Sequence, residues 1–69
     1  MINWFAVICE LQKNGVSARK IGRIIGCSNQ TVCNWRDGQQ PRYGDGKKLV
    51  DLWILITGRH ENELPTIRD

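Results

Sequence analysis

Ser17-Ala-Arg-Lys-Ile-Gly-Arg-Ile-Ile-Gly-Cys-Ser-Asn-Gln-Thr-Val-Cys-Asn-Trp-Arg-Asp-Gly38 divides into two short helical runs with one break between them. In the first, Ser17 is placed to cap, and Ala18, Ile21, Ile24 and Ile25 recur at helical spacing. Gly26 ends that run, because glycine enters the left-handed backbone region without a Cβ penalty. Ser28 caps a second helix from about Asn29 to Asp37, whose inward side is Val32 and Trp35. Gly22 stands four residues before Gly26, on the side where the second helix must pass, and a large side chain there would push the helices apart. Asp37-Gly38 is a turn signal, and Gln39-Gln40-Pro41 does not continue a helix.

Small residue, turn glycine and apolar pair in this order predict a helix-turn-helix, whose second helix enters the DNA major groove. With Val32 and Trp35 inward, a step of 100° per residue turns Gln30, Cys33, Asn34 and Asp37 to the opposite face. Ser28 and Asn29 lie at the leading end of that helix. Asparagine and glutamine amides make paired hydrogen bonds to adenine, so Ser28, Asn29, Gln30, Cys33 and Asn34 are the candidate base readers. Cys33 is either a contact to a thymine methyl or a neutral spacer. Arg19, Lys20 and Arg23 project from the preceding helix and, with Ser17, Thr31 and Arg36, are the candidate phosphate contacts. Asp37 either accepts from a cytosine amino group or pairs with Arg36. The plain alternative is a small helical hairpin with a basic face.

Sixty-nine residues allow one domain with a single small core, and three tryptophans supply much of its apolar mass. The formal charge of +3 is concentrated in the quoted stretch. There Arg19, Lys20, Arg23 and Arg36 face only Asp37, whereas Arg59 and Arg68 are outnumbered by Glu61, Glu63 and Asp69. That distribution favours a polyanionic partner at the quoted stretch. Cys9, Cys27 and Cys33 are an odd set without Cys-x-x-Cys spacing, and His60 is the only histidine. The expectation is therefore reduced thiols, no metal site and no cofactor. Met1-Ile-Asn-Trp-Phe-Ala-Val-Ile-Cys9 is apolar but lacks the basic start of a signal peptide, and no run is long enough to span a bilayer. A cytoplasmic chain without membrane contact is expected. The absence of a nucleophile constellation or a phosphate-cradling glycine loop argues against an enzyme, and no small-molecule ligand is expected.

Asn3 caps a first helix to about Asn14, with Trp4, Val7, Ile8 and Leu11 inward and Ala6, Glu10 and Lys13 opposite. A fourth helix starts between Tyr43 and Gly46, where Gly44 and Gly46 blur its start, and runs to about Thr57. Leu49, Leu52, Trp53 and Ile56 form its core stripe. Val50 and Ile54 form a second ridge that, with Trp53, is the expected homodimer contact, Phe5 and Cys9 being the alternative. Arg59 to Asp69 reads as a short extra turn and a loose tail.

The Ser17–Gly38 stretch resembles the Cro/C1-type helix-turn-helix proteins of phage regulators. Asn3-Trp4, Pro41-Arg42-Tyr43 ahead of Leu49-Val50-Asp51-Leu52, and Thr57-Gly58 extend the likeness over nearly the whole chain. The resemblance implies an all-α, lambda repressor-like domain of four to five helices over residues 1–58, with 59–69 as a C-terminal segment or tail. It further implies a sequence-specific regulator of transcription, a Cro-like repressor working in a bacterial host's cytoplasm or nucleoid. Such a protein holds double-stranded operator DNA as a homodimer and represses by occupancy. Ser28, Asn29, Gln30 and Asn34 would then meet bases or the adjoining backbone, and Thr31 a phosphate. Many such proteins open the second helix with a phosphate-binding glutamine, where this chain has Ala18. That contact is lost or passes to Ser17 or Arg19. Two rival readings are a helical adaptor that binds protein through Val50 and Ile54, and an excisionase-like factor that bends DNA.

Overall fold

Side-chain caps fix where three of the helices begin. Asn3 Oδ1 accepts from Ala6 N at 3.2 Å, Ser17 Oγ from Lys20 N at 3.2 Å, and Ser28 Oγ from Thr31 N at 3.2 Å. Each cap satisfies one of the backbone donors that a helix N-terminus leaves free. The computed structural model describes residues 1–67, with α1 at Trp4–Lys13, α2 at Ala18–Ile25, α3 at Asn29–Arg36 and α4 at Tyr43–Thr57. A 3-10 turn follows at Glu61–Glu63. No strand forms among the described residues beyond an isolated antiparallel bridge between Ile2 and Thr66. The protein is all-α, and no helix in it is long and apolar enough to cross a membrane.

One core joins all four helices. Val7, Ile8 and Leu11 from α1 meet Ile21 and Ile25 from α2, Val32 and Trp35 from α3, and Leu49, Leu52 and Trp53 from α4. Val16, in the α1–α2 connection, closes its edge. Removing these apolar surfaces from water supplies about 1.5–3 kcal/mol for each large side chain. Ile24 departs from the expected inward set and is half exposed. It lies about 100° around the helix from Ile25, beyond the strip that faces the core.

α4 spans the expected range and departs from its sequence reading only in the use of its second ridge. Its start at Tyr43 tolerates Gly46 because the Trp4 ring lies over that residue, and a Cβ there would sit 3.3 Å from the ring edge. Its second ridge is not free for a partner, since Trp53 is 0% and Val50 7% exposed, while Ile54 packs half-buried against the core. Trp53 therefore has no surface for a dimer contact, and Val50 almost none. The exposed large hydrophobic residues of α4 are Tyr43, at its start, and Leu55.

Glu10 and the C-terminal segment also depart from expectation, for one shared reason. A buried indole N–H needs an acceptor, and Trp53 Nε1 donates to Glu10 Oε2 at 3.1 Å. Glu10 is thereby half-buried rather than turned to solvent. Arg59 lies over the Trp53 ring at 5.2 Å and reaches Glu10 at 3.4 Å and Glu63 at 3.3 Å. Beyond it, Leu64 packs on the core, Asn3 N donates to Pro65 O at 2.9 Å, and Ile67 N donates to Met1 O at 2.8 Å. The segment expected to be loose is docked as far as Ile67; Arg68 and Asp69 lie outside the described residues.

Candidate nucleic-acid interface

The α2–α3 junction is a turn of three residues, Gly26-Cys27-Ser28. Gly26 adopts φ 99°, and Gly26 N and Cys27 N both donate to Gly22 O, at 2.7 and 2.8 Å. The chain folds back so tightly that a Cβ on Gly22 would lie 2.6 Å from Cys27 O. The close approach inferred at Gly22 is thus real, and what crowds it is the backbone of the turn. Lys48 of α4 donates to Ile25 O at 3.4 Å, placing a cation at the C-terminus of α2, where the helix dipole is negative. Cys27 sits in the turn with its thiol pKa raised, by burial first and by the Asp45 carboxylate second.

Val32 and Trp35 anchor α3 in the core, leaving Ser28, Asn29 and Gln30 exposed and Thr31, Cys33 and Asn34 half-buried. Gln30 Nε2 donates to Asn34 Oδ1 at 3.1 Å, so the two amides meet on the outer face of α3. The Ser28 and Thr31 hydroxyls lie 3.0 Å apart at the cap. Their hydrogen bonds serve the helix start, which limits what either can offer a base or a phosphate.

On α2, Ser17, Arg19, Lys20, Arg23 and Ile24 border an open hollow of about 370 Å³. None of its three cations takes part in an ion pair among the described residues. Ala18 is half-buried and packs against the core, so it presents no group to this hollow. Arg36 is placed differently from the other expected phosphate contacts. It lies 3.7 Å from Asp37 and borders a separate cleft with Met1, Phe5 and Ile67. Asp37 is thereby the partner of Arg36.

A groove of about 360 Å³ runs beside the start of α4, between Trp4, Pro41, Tyr43 and Val50, with Arg42 and Lys47 at its mouth. Apart from Val50, expected at a homodimer contact, these residues have no site role in the sequence reading; the only signal is the aromatic-cation pair Arg42-Tyr43. Phe5 is exposed and Cys9 half-buried on α1. Nowhere among the described residues do three His, Cys, Asp or Glu side chains gather as a metal site would need.

The architecture defines the protein as a small all-α domain with one capped, tightly turned helix pair. Comparison with protein-family models, curated proteins and solved structures finds no match.

Proposed function

We propose that this protein is a sequence-specific double-stranded DNA-binding regulator in which α2 and α3 act as a helix-turn-helix. The observation that carries the reading is the pairing of two surfaces. α3 turns a carboxylate-poor face of hydrogen-bonding amides outward, while α2 beside it holds three cations without ion-pair partners among the described residues. Amides on an exposed helix suit base edges, and free cations suit phosphates. In this reading Gln30 and Asn34 read bases, with Asn29 and Cys33 beside them. Arg19, Lys20 and Arg23 hold the backbone, and Ser17 lends a hydroxyl at the α2 N-terminus.

Repression by occupancy is the mechanism that such an interface supports, with two copies on an inverted repeat. The reading involves no catalytic step. The adaptor alternative loses its basis, because the Val50 and Ile54 ridge it needs is largely packed inside the chain.

Selection from random duplexes at two salt concentrations tests the proposal. The expected result is an inverted repeat with half-sites about 34–36 Å apart. Asn34→Ala should then lower affinity for the selected site by about 1–3 kcal/mol and barely change affinity for random DNA. Arg19→Ala should weaken both. Retention without a consensus, or no retention at low salt, would refute sequence-specific binding.

A further inference from the structure

The hydrogen bond between Gln30 and Asn34 assigns these side chains different duties. An isolated amide carries two N–H donors and a carbonyl acceptor, and so presents the same choice to any base edge. Here Gln30 Nε2 donates to Asn34 Oδ1 at 3.1 Å, one helical turn along α3. Gln30 has spent one of its donors and keeps its carbonyl whole. Asn34 has spent one acceptor position and keeps both N–H groups. Gln30 is left biased toward accepting and Asn34 toward donating.

The coupling matters as much as the polarity. The 3.1 Å bond joins Gln30 Nε2 to Asn34 Oδ1, and it leaves Gln30 Oε1 and Asn34 Nδ2 on side chains coupled within one helical turn. Resting on the reading of α3 as a DNA-reading helix, we infer that Gln30 and Asn34 form one coupled reader of two adjacent base pairs. Asn34 Nδ2 donates to an acceptor edge: a purine N7, guanine O6 or thymine O4. Gln30 Oε1 accepts from the amino group of the neighbouring pair, adenine N6 or cytosine N4. The mutual bond holds both amides in place before DNA arrives, so less side-chain freedom is lost on binding. The site recognised is then a two-base-pair step and not two independent bases.

The test is a duplex selection, at one salt concentration, with the wild-type chain, Gln30→Ala, Asn34→Ala, the double variant and Asn34→Asp. It is joined by an NMR record of the Gln30 side-chain amide in free protein. Each alanine variant should lower preference at both adjacent positions about tenfold, and the double variant should lose no more than the worse single one. Asn34→Asp still accepts from Gln30 but cannot donate, so its preference should move from an acceptor edge to the cytosine amino group. In the free protein, Asn34→Ala should shift the Gln30 amide proton resonances. A wild-type chain that selects no consensus defeats the DNA reading and this inference together. A wild-type consensus with single-variant losses confined to separate positions, and multiplying in the double variant, defeats the coupling alone. So does an unmoved Gln30 resonance. Asn34→Asp retaining the parental preference defeats the assigned polarity.

Discussion

Two glycines in helices separate sharply when each is asked what a methyl group would meet. On Gly22 it would meet the Cys27 carbonyl at 2.6 Å, a backbone atom that moves only if the turn opens. On Gly44 it would meet nothing within 4 Å. Gly22→Ala should therefore destabilise the protein by about 1–3 kcal/mol, the usual cost of overpacking. Gly44→Ala should stabilise it by about 0.5–1 kcal/mol, the ordinary gain of alanine over glycine within a helix. Urea unfolding midpoints of the two variants check the opposite signs. Cys27 yields a second prediction at this scale. Its pKa is raised by burial and by Asp45, so less thiolate is present at a given pH. Alkylation at pH 8 should be slower at Cys27 in the folded protein than in the urea-unfolded chain, as followed by mass spectrometry of the modified peptide.

Among the helices, α4 adds to its core packing one side-chain hydrogen bond at the end of α2. Lys48 Nζ reaches Ile25 O at 3.4 Å, where α2 leaves carbonyls unpaired and its dipole is negative. Lys48→Met removes the charge and keeps much of the stem, so it should cost about 0.3–1 kcal/mol at low salt and less at high salt. Thermal melts at two ionic strengths would show a constant loss if only packing were involved. Lys48 also illustrates what was legible in the sequence. The helix ends could be read because caps are local: Asn3, Ser17 and Ser28 act within three residues, and Gly26 acts on its own turn. The outer face of α3 followed from helical phase, since Val32 and Trp35 leave one direction for Gln30 and Asn34. Contacts far apart in the chain left no such trace. Nothing near Glu10 announces Trp53, and nothing near Ile25 announces Lys48. The sequence allows Trp53 to serve either the core or a partner, because an apolar helix face looks alike for both; its zero exposure puts it in the core.

At the scale of the whole molecule, cations held by the chain itself differ in use from cations that it leaves unpaired among the described residues. Arg59 is held within the chain by Glu10, Glu63 and the Trp53 ring. Arg19, Lys20 and Arg23 have no such partners among the described residues and border open solvent on α2. A cation that displaces counterions from DNA contributes about −0.9 to the slope of log K against log salt. If all three α2 cations meet phosphates, one copy of the chain should show a slope of about −2.7 and two copies on one duplex about −5.4. Arg19→Ala with Arg23→Ala should then reduce the slope by about two for each bound copy. Arg59→Ala should leave the slope unchanged, although it loosens the C-terminal segment, because that cation is occupied within the protein. Fluorescence-anisotropy titrations from 50 to about 200 mM salt would measure all three proteins over the range where the counterion effect is large. A slope that falls equally for Arg59→Ala and for the α2 pair would mean that general charge attracts DNA, and α2 would lose its role as the backbone contact.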